Sequence, residues 1–366
     1  MSKKTKTPDL LIFLVVIGLL FIGITMVFSS SAVKAYSENH DSLYYLKRQF
    51  GYGMLGMGAL FFMMRFDYRR LRALAKPMFI GSLILLVAVL IPGIGKVING
   101  ARRWIEIGVQ FQPSEIAKLT TIIFLADWLA TKPEKNKKFM QGLLPAMSIL
   151  ALIFLLIYSE PDLGTSLIIF GTGMLMIFAG GANWKCLVSL IPAGLVAVGM
   201  MILMEPYRAR RLFAFLDPWK DPLNTGFHVV QSLMALGSGG IFGLGLGRSR
   251  QKFFYLPEQH TDFIFAILGE ELGFIGGAAV LILFLLLAWR GYRTAVLAPD
   301  MFGSLLAVGV TSLIILQAVI NIGVVTSSIP VTGLTLPFIS YGGTSLIFLL
   351  GGVGILLNIS RAIERR

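Results

Sequence analysis

Asp262 is the residue from which chemistry reads most directly in this chain. It closes the stretch Phe254-Tyr255-Leu256-Pro257-Glu258-Gln259-His260-Thr261-Asp262 and stands just before an apolar run beginning Phe263-Ile264-Phe265-Ala266. A carboxylate at the edge of an apolar helix is costly unless it is hydrated, paired or used. Two uses compete. Asp is a good N-cap, able to accept from the first free N–H groups of the helix it precedes. Held beside basic loops, it can instead act as a general base toward a hydroxyl. On residue chemistry alone, capping is the plainer use.

A second group lies on Gln112-Pro113-Ser114-Glu115-Ile116-Ala117-Lys118. Pro113 suits a first helical position, and Glu115 suits the positive end of a helix. Glu115 and Lys118 are three apart and share one face, so they can pair. Lys118 lies a turn deeper than a cap needs to reach, which leaves a structural ion pair and a polar cavity both open. Just upstream, Arg102 and Arg103 beside Trp104 are either solvated or placed for an anionic headgroup, because guanidinium matches phosphate with a bidentate fork. Arg208, Arg210 and Arg211 precede Leu212-Phe213-Ala214-Phe215-Leu216, a mixture that suits a segment lying in a membrane interface. Glycine-rich stretches at 237–247, followed by Arg248, Arg250 and Lys252, could line a groove for a phosphorylated ligand. Glu258 and His260 share the Asp262 stretch and complete the candidates.

The elements that must position these residues are membrane helices. Of 366 residues, 56% are hydrophobic and only 14% charged, against roughly 25% charged in a soluble domain. Apolar runs near the length of a bilayer crossing recur from end to end. They predict ten spans: 10–28, 46–64, 77–91, 114–130, 143–158, 163–180, 187–203, 263–289, 303–323 and 342–358. The expected fold class is therefore all-α, a single polytopic domain of ten helices. The first run is too long for a cleaved secretory signal, despite Lys3, Lys4 and Lys6 before it and Ser30-Ser31-Ala32 after it. Arg65, Arg69, Arg70, Arg72 and Lys76 lie in one loop, Lys132, Lys135, Lys137 and Lys138 in another, and Arg361, Arg365 and Arg366 in the tail. With an even number of spans, these and both termini fall on the cytoplasmic side. The net charge of +13 then belongs to the membrane topology and not to nucleic acid.

The topology turns on Ser159-Glu160-Pro161-Asp162. As a tight hairpin it divides 143–180 into two spans; as a kink it would reverse everything downstream. Pro removes a backbone donor and the flanking carboxylates are expensive in lipid, so a hairpin is expected. That choice puts the long connection 204–262 outside, with Asp262 at its end. Leu272 to Trp289 already supplies a span, so Asp262 to Glu271 would extend beyond it, with Glu270 and Glu271 near the outer boundary. Gly51-Tyr52-Gly53-Met54-Leu55-Gly56 fits a dinucleotide fingerprint by letter only. It lacks the strand–turn–helix setting, so these glycines read as helix packing points. Gln317 and Asn321, four apart, share one face and suit interhelical hydrogen bonding. The single cysteine, Cys186, and three scattered histidines leave no CxxC or HExxH metal motif.

Several long motifs, in order, resemble one family. NGARRWI (99–105), FQPSEIAK (111–118), EPDLGT (160–165), QKFFYLPEQHTDFIFAILGEELG (251–273) and PVTGLTLPFISYGGTS (330–345) are similar to those of the SEDS proteins of bacterial shape, elongation, division and sporulation: FtsW, RodA and SpoVE. GLTLPFISYGG favours the FtsW/SpoVE branch. The resemblance covers essentially the whole chain. It implies a peptidoglycan glycosyltransferase that polymerises lipid II at the outer face of the cytoplasmic membrane, beside a class B penicillin-binding protein and other division or elongation proteins. It carries the family's essential loop acid onto Asp262 and its span-four acid and base onto Glu115 and Lys118; Glu160 is the less secure carry-over. The implied chemistry needs a base for the acceptor 4-hydroxyl, assigned to Asp262, and cations for the departing pyrophosphate. Arg102, Arg103, Arg210 and Lys118 are the candidates, and Trp104, Glu115, Glu258 and His260 are expected around the substrate. A divalent cation, Mg2+ or Mn2+, stays open. The competing readings are a lipid II flippase, which would need charges spread through the depth of several spans, and a non-catalytic division scaffold.

Overall fold

The structure, a computed structural model, describes residues 7–98, 100–253 and 255–363. Lys3, Lys4, Lys6, Asn99, Phe254, Arg365 and Arg366, all named above, lie outside the described residues.

In lipid every backbone N–H and C=O must be satisfied within its own segment, so long apolar runs fold as helices. A helix stands over each predicted stretch: α1 (Leu10–Asn39), α2 (Tyr44–Arg65), α3 (Tyr68–Leu90), α4 (Pro113–Thr131), α6 (Leu144–Tyr158), α7 (Leu163–Ala179), α8 (Trp184–Leu203), α11 (Ile264–Leu297), α12 (Met301–Val325) and α13 (Gly343–Ala362). The one-turn α5 (Pro133–Asn136) precedes α6, while α9 (Pro206–Leu216) and α10 (Phe227–Gly239) lie in the long connection. Among the described residues, seven helices are long and apolar enough to cross a membrane: α1, α3, Phe139–Tyr158, α8, α11, α12 and α13. The chain is thus a mostly helical, multi-pass membrane protein. α7 is apolar but shorter, and α4 carries Glu115, Lys118 and Asp127. α12 packs against α4, α7, α10, α11 and α13 and forms the hub of the bundle.

One small non-helical element joins the mostly helical frame. The connection from α3 to α4 folds into a three-stranded antiparallel sheet, β1 (Gly95–Ile98), β2 (Ala101–Ile107) and β3 (Val109–Phe111). Gly100 and Gly108, both at positive φ, fall between the strands. β1 and β3, of four and three residues, are too short for the period of two to stand out.

The Ser159–Asp162 turn is a hairpin. The Phe154 and Phe170 rings lie 5.9 Å apart, and Leu150 packs on Gly173, so contacts step back along α6 as they step forward along α7. Asp162 caps α7 by accepting from the Thr165 N–H at 3.0 Å. Gly56 is a packing point as expected, since a Cβ there would meet Leu350 of α13 at 2.5 Å. Gly51 and Gly53 face open space.

α11 is broken at Gly273, whose φ of 67° and ψ of −167° leave the helical region. Residues 274–297 give a leg of about 36 Å, enough for a crossing. Residues 264–272 form a separate arm that pairs with α10, where Gly239 closes on the Gly269 backbone. The break falls beside Leu272, where the sequence divides. Glu270 and Glu271 at the end of the arm are buried. Glu270 accepts from the Ser249 hydroxyl and, at 2.9 Å, from the Arg250 N–H. Glu271 accepts from Ser29 of α1 at 2.7 Å and pairs with Lys252 at 3.3 Å. The two glutamates therefore fix the end of the long connection to the arm that begins beside Asp262.

Candidate functional site

Four connections converge on Asp262. Its own stretch is laid along the 330–342 segment. The Tyr341 N–H donates to the His260 carbonyl at 2.9 Å, and the Ser340 hydroxyl donates to the Thr261 carbonyl at 2.6 Å. Gln259 donates to the Ser30 carbonyl of α1 at 2.9 Å. The amide of Asn321, on α12, donates to the Asp262 carbonyl at 2.7 Å. The backbone of Asp262 is thus held from several sides, while its carboxylate receives no hydrogen bond or ion pair among the described residues. Phe263 occupies the N-cap position of α11 without a side-chain cap bond, so the capping alternative is removed.

Burial raises the Asp262 pKa, and the neighbouring charges of Glu258 and Asp162 push the same way. Arg211 and Arg103 pull it down, and the balance leaves it at about 7. Beside the carboxylate, Gly333 has φ +75°, and a Cβ there would stand 3.6 Å from Asp262 Oδ2.

The cations come from two other elements. On β2, Arg103 donates from Nε to the Glu160 carbonyl at 3.1 Å and from Nη2 to the Pro161 carbonyl. Its Nη1 lies 3.7 Å from Asp162. On α9, Arg211 donates to the Val331 carbonyl at 3.3 Å and stacks over Tyr207 at 4.4 Å. Arg208 stacks over Tyr158, also at 4.4 Å. Arg210 is turned away: at about 100° per residue it leaves the face of Arg211 and is exposed. Of the three arginines on α9, the one felt at Asp262 is Arg211, a residue named in the sequence but not chosen. Fixing the phase of α9 from its buried Ala214 would separate the three arginines.

The other expected residues divide. Glu115 and Lys118 form a buried ion pair at 2.8 Å, and Lys118 also donates to Gln317 at 3.3 Å. Gln317 donates to the Thr335 carbonyl at 2.9 Å, which joins this deeper pair to the segment beside Asp262. A small cavity adjoins the pair, lined otherwise by apolar residues such as Leu313, Ile314 and Phe348, so the ion pair is formed and the space beside it is apolar. Arg102 is tied elsewhere, donating to the Leu90 carbonyl at the end of α3 at 3.0 Å, and Trp104 pairs across the sheet with Lys96. Glu258, at φ +51°, accepts from Thr261 at 2.9 Å and reaches Asp262 through its charge. His260 is buried among aromatics, 4.6 Å from the Tyr45 ring and 5.7 Å from the Tyr341 ring. Burial, with Lys34 nearby, pushes it down to about 4, so it is neutral and anchors the loop. Glu160 is buried with both carboxyl oxygens unpartnered; burial first, then Asp162, raises it to about 9, against the pull of Arg103.

Among the described residues no group of three or more His, Cys, Asp or Glu is placed to hold a metal ion. What remains is a raised, unpartnered carboxyl facing two arginines, with a buried ion pair beneath: a proton acceptor beside a cradle for negative charge.

Residues 9–365 match the cell cycle protein family of FtsW, RodA and SpoVE. The chain is 51% identical over 362 residues to stage V sporulation protein E of Bacillus subtilis, covering 99% of both chains. It is 46% identical over 363 residues to the probable peptidoglycan glycosyltransferase FtsW of Geobacter metallireducens, covering 99% of this chain and 97% of that one. It also resembles a chain solved in work on the structural coordination of polymerization and crosslinking by a peptidoglycan synthase complex. That likeness has a TM-score of 0.80 and 31% identity, and it covers 97% of this chain and 98% of the other.

Proposed function

The chain belongs to the FtsW/RodA/SpoVE family of cell cycle proteins and is a peptidoglycan glycosyltransferase, and from that premise we propose that it polymerises lipid II into β-1,4-linked glycan strands with Asp262 as general base. The observation that carries this reading is the unpartnered Asp262 carboxyl, raised to about 7 beside Arg211 and Arg103. A general base works best with a pKa near the operating pH. Asp262 reaches that range because burial outweighs its two arginines.

The reaction joins an acceptor 4-hydroxyl to a donor sugar carrying undecaprenyl pyrophosphate. Asp262 takes the hydroxyl proton as the oxygen attacks the anomeric carbon, and the bond to the pyrophosphate breaks. The α-linked donor becomes a β-linked product in one inverting displacement, with no covalent enzyme intermediate; a two-carboxylate hydrolase is only a partial analogue. Pyrophosphate leaves well without a protein acid. Its charge is received by Arg211 and Arg103, already in place before the step, so little reorganisation is needed. Lys118, deeper and paired with Glu115, supports the floor of the site through Gln317 and Thr335.

The cytoplasmic placement of both termini and an outer-face site follow from the loop charges. A crosslinking partner of the class B penicillin-binding type is part of the proposal, supported by the likeness to a chain of a peptidoglycan synthase complex. The process served is division, sporulation or elongation.

Purified protein with labelled lipid II and its penicillin-binding partner should make glycan strands, and folded Asp262→Ala should make none. Normal polymerisation by that variant would end the assignment of the base. Transfer of lipid II across vesicles without polymerisation would instead favour a flippase.

A further inference from the structure

Among the described residues, Asn321 is the one side chain that holds the backbone of Asp262 directly. Its Nδ2 donates to the Asp262 carbonyl at 2.7 Å and to the Leu334 carbonyl at 2.6 Å. Both partners are carbonyl oxygens, so the atom facing them must be the amide nitrogen and the side-chain orientation follows. The residue is 1% exposed, and its Oδ1 is buried without a partner. An amide kept in an apolar helix with half its capacity unused is expensive, and burying it serves the contact its nitrogen makes.

Those two bonds cross three parts of the fold. Asn321 belongs to the hub helix α12, Asp262 ends the long connection, and Leu334 lies next to Gly333, the residue beside the Asp262 carboxylate. One turn along α12, Gln317 makes the parallel contact, holding Thr335 and receiving Lys118. The division of labour is clear from the partners. Gln317 fixes the wall and the buried ion pair, and Asn321 fixes the wall and the acid.

We propose that Asn321 is a positioning residue for Asp262, setting both where the carboxylate points and how dry it stays. This rests on Asp262 being the base. A carboxyl bearing no bond of its own owes its direction to its backbone, and misplacement by about 1 Å can cost about a hundredfold in rate. The same tether keeps Asp262 beside Gly333, where a Cβ would stand 3.6 Å from its carboxylate, and limits the water that reaches it. Glu258, Asp162, Arg211 and Arg103 face Asp262 from the loop, the α6–α7 turn, α9 and β2, and none of them is removed when Asn321 is changed. A freed Asp262 therefore responds mainly to the water it gains.

The test is the pH–rate profile of lipid II polymerisation by full-length protein with its partner, for wild type, Asp262→Ala, Asn321→Ala, Asn321→Ser and Gln317→Ala. Wild type should be about tenfold faster at pH 8 than at pH 6, from ionisation near 7. In Asn321→Ala we expect kcat to fall tenfold or more with KM within about twofold, and the pH 8 to pH 6 ratio to drop toward one. Asn321→Ser, with one donor left, should fall between, and it carries the test if the alanine variant does not fold. Gln317→Ala, which loosens the wall but leaves the tether, should move the ratio clearly less than Asn321→Ala. An unmoved ratio in both Asn321 variants, or the same shift in Gln317→Ala, overturns the positioning role. Polymerisation by Asp262→Ala overturns the base on which it rests, and the two failures are distinguishable.

Discussion

Replacing Asp262 by Asn should stop catalysis and, above neutral pH, stabilise the folded protein. Asp262 ionises near 3.8 in an unfolded chain and at about 7 in the folded one, so between those values the unfolded state holds the charge more easily. Wild-type stability therefore falls as pH rises from 3.8 to about 7, and the full penalty persists above that. About three pKa units at about 1.4 kcal/mol each give an upper bound of about 4 kcal/mol. The residue is partly open to solvent, and a discount of half for screening leaves about 2 kcal/mol. Asn keeps the shape without the charge. The gain should be largest at pH 8 and roughly a third as large at pH 5, where only part of the titration range has been crossed. Thermal unfolding of the purified protein at both pH values, followed by intrinsic tryptophan fluorescence, reads the difference. If Asp262→Asn were no more stable than wild type at pH 8, or gained equally at both, the burial argued for this carboxyl would be wrong.

Arg211→Gln removes a cation that holds the Asp262 pKa down. The acid limb of the polymerisation profile should move to higher pH, and KM for lipid II should rise; an unchanged limb would place Arg211 outside the site. Glu160 is already protonated at neutral pH, so Glu160→Gln should leave the rate at pH 7 within about twofold of wild type, and a large loss in the polymerisation assay would show that its charged form matters. Lys118→Met leaves Glu115 buried and unpaired, at a cost of about 3–5 kcal/mol, whereas Lys118→Met with Glu115→Gln should recover much of it; thermal midpoints of the two decide. Gly273→Ala would bring a Cβ within 2.3 Å of the Gly243 nitrogen at a φ of +67°, and should lower the unfolding midpoint by an amount equivalent to about 2 kcal/mol or more.

Much of this arrangement can be read from the chain before it folds, for a physical reason. Apolar length and Pro- and Gly-rich turns are local properties, so the long apolar helices, the 159–162 hairpin and the end of the arm near Leu272 follow from them. Asp262 stood out because an acid beside an apolar run is conspicuous in any one-dimensional reading. Its environment did not, since capping and burial differ only in what the rest of the chain brings near. Arg210 and Arg211 are not separable in the sequence, because a single residue decides which face of a helix a side chain takes. Arg102, Trp104 and His260 were expected at the substrate, yet lie against the α3 end, the small sheet and an aromatic cluster; nothing local distinguishes those destinations. Asn321 was read as an ordinary interhelical donor, which its spacing from Gln317 supports, and only its distant partner gives it a particular task.

The site's composition also fixes when it can exist during synthesis. Arg103, Asp162, Arg211, Asp262, Asn321 and Gly333 come from six separated positions, and the arm after Asp262 leans on Ser29 near the start of the chain. A chain entering the membrane helix by helix holds its basic residues first and its acid later. The acid gains its tether only when α12 arrives, and its wall only with the segment after it. Before α12 and the segment around residue 335 are in place, the acid lacks its tether and its wall. Arg211 is itself tied to the Val331 carbonyl, so this cation and the acid are seated together, by the same late segment.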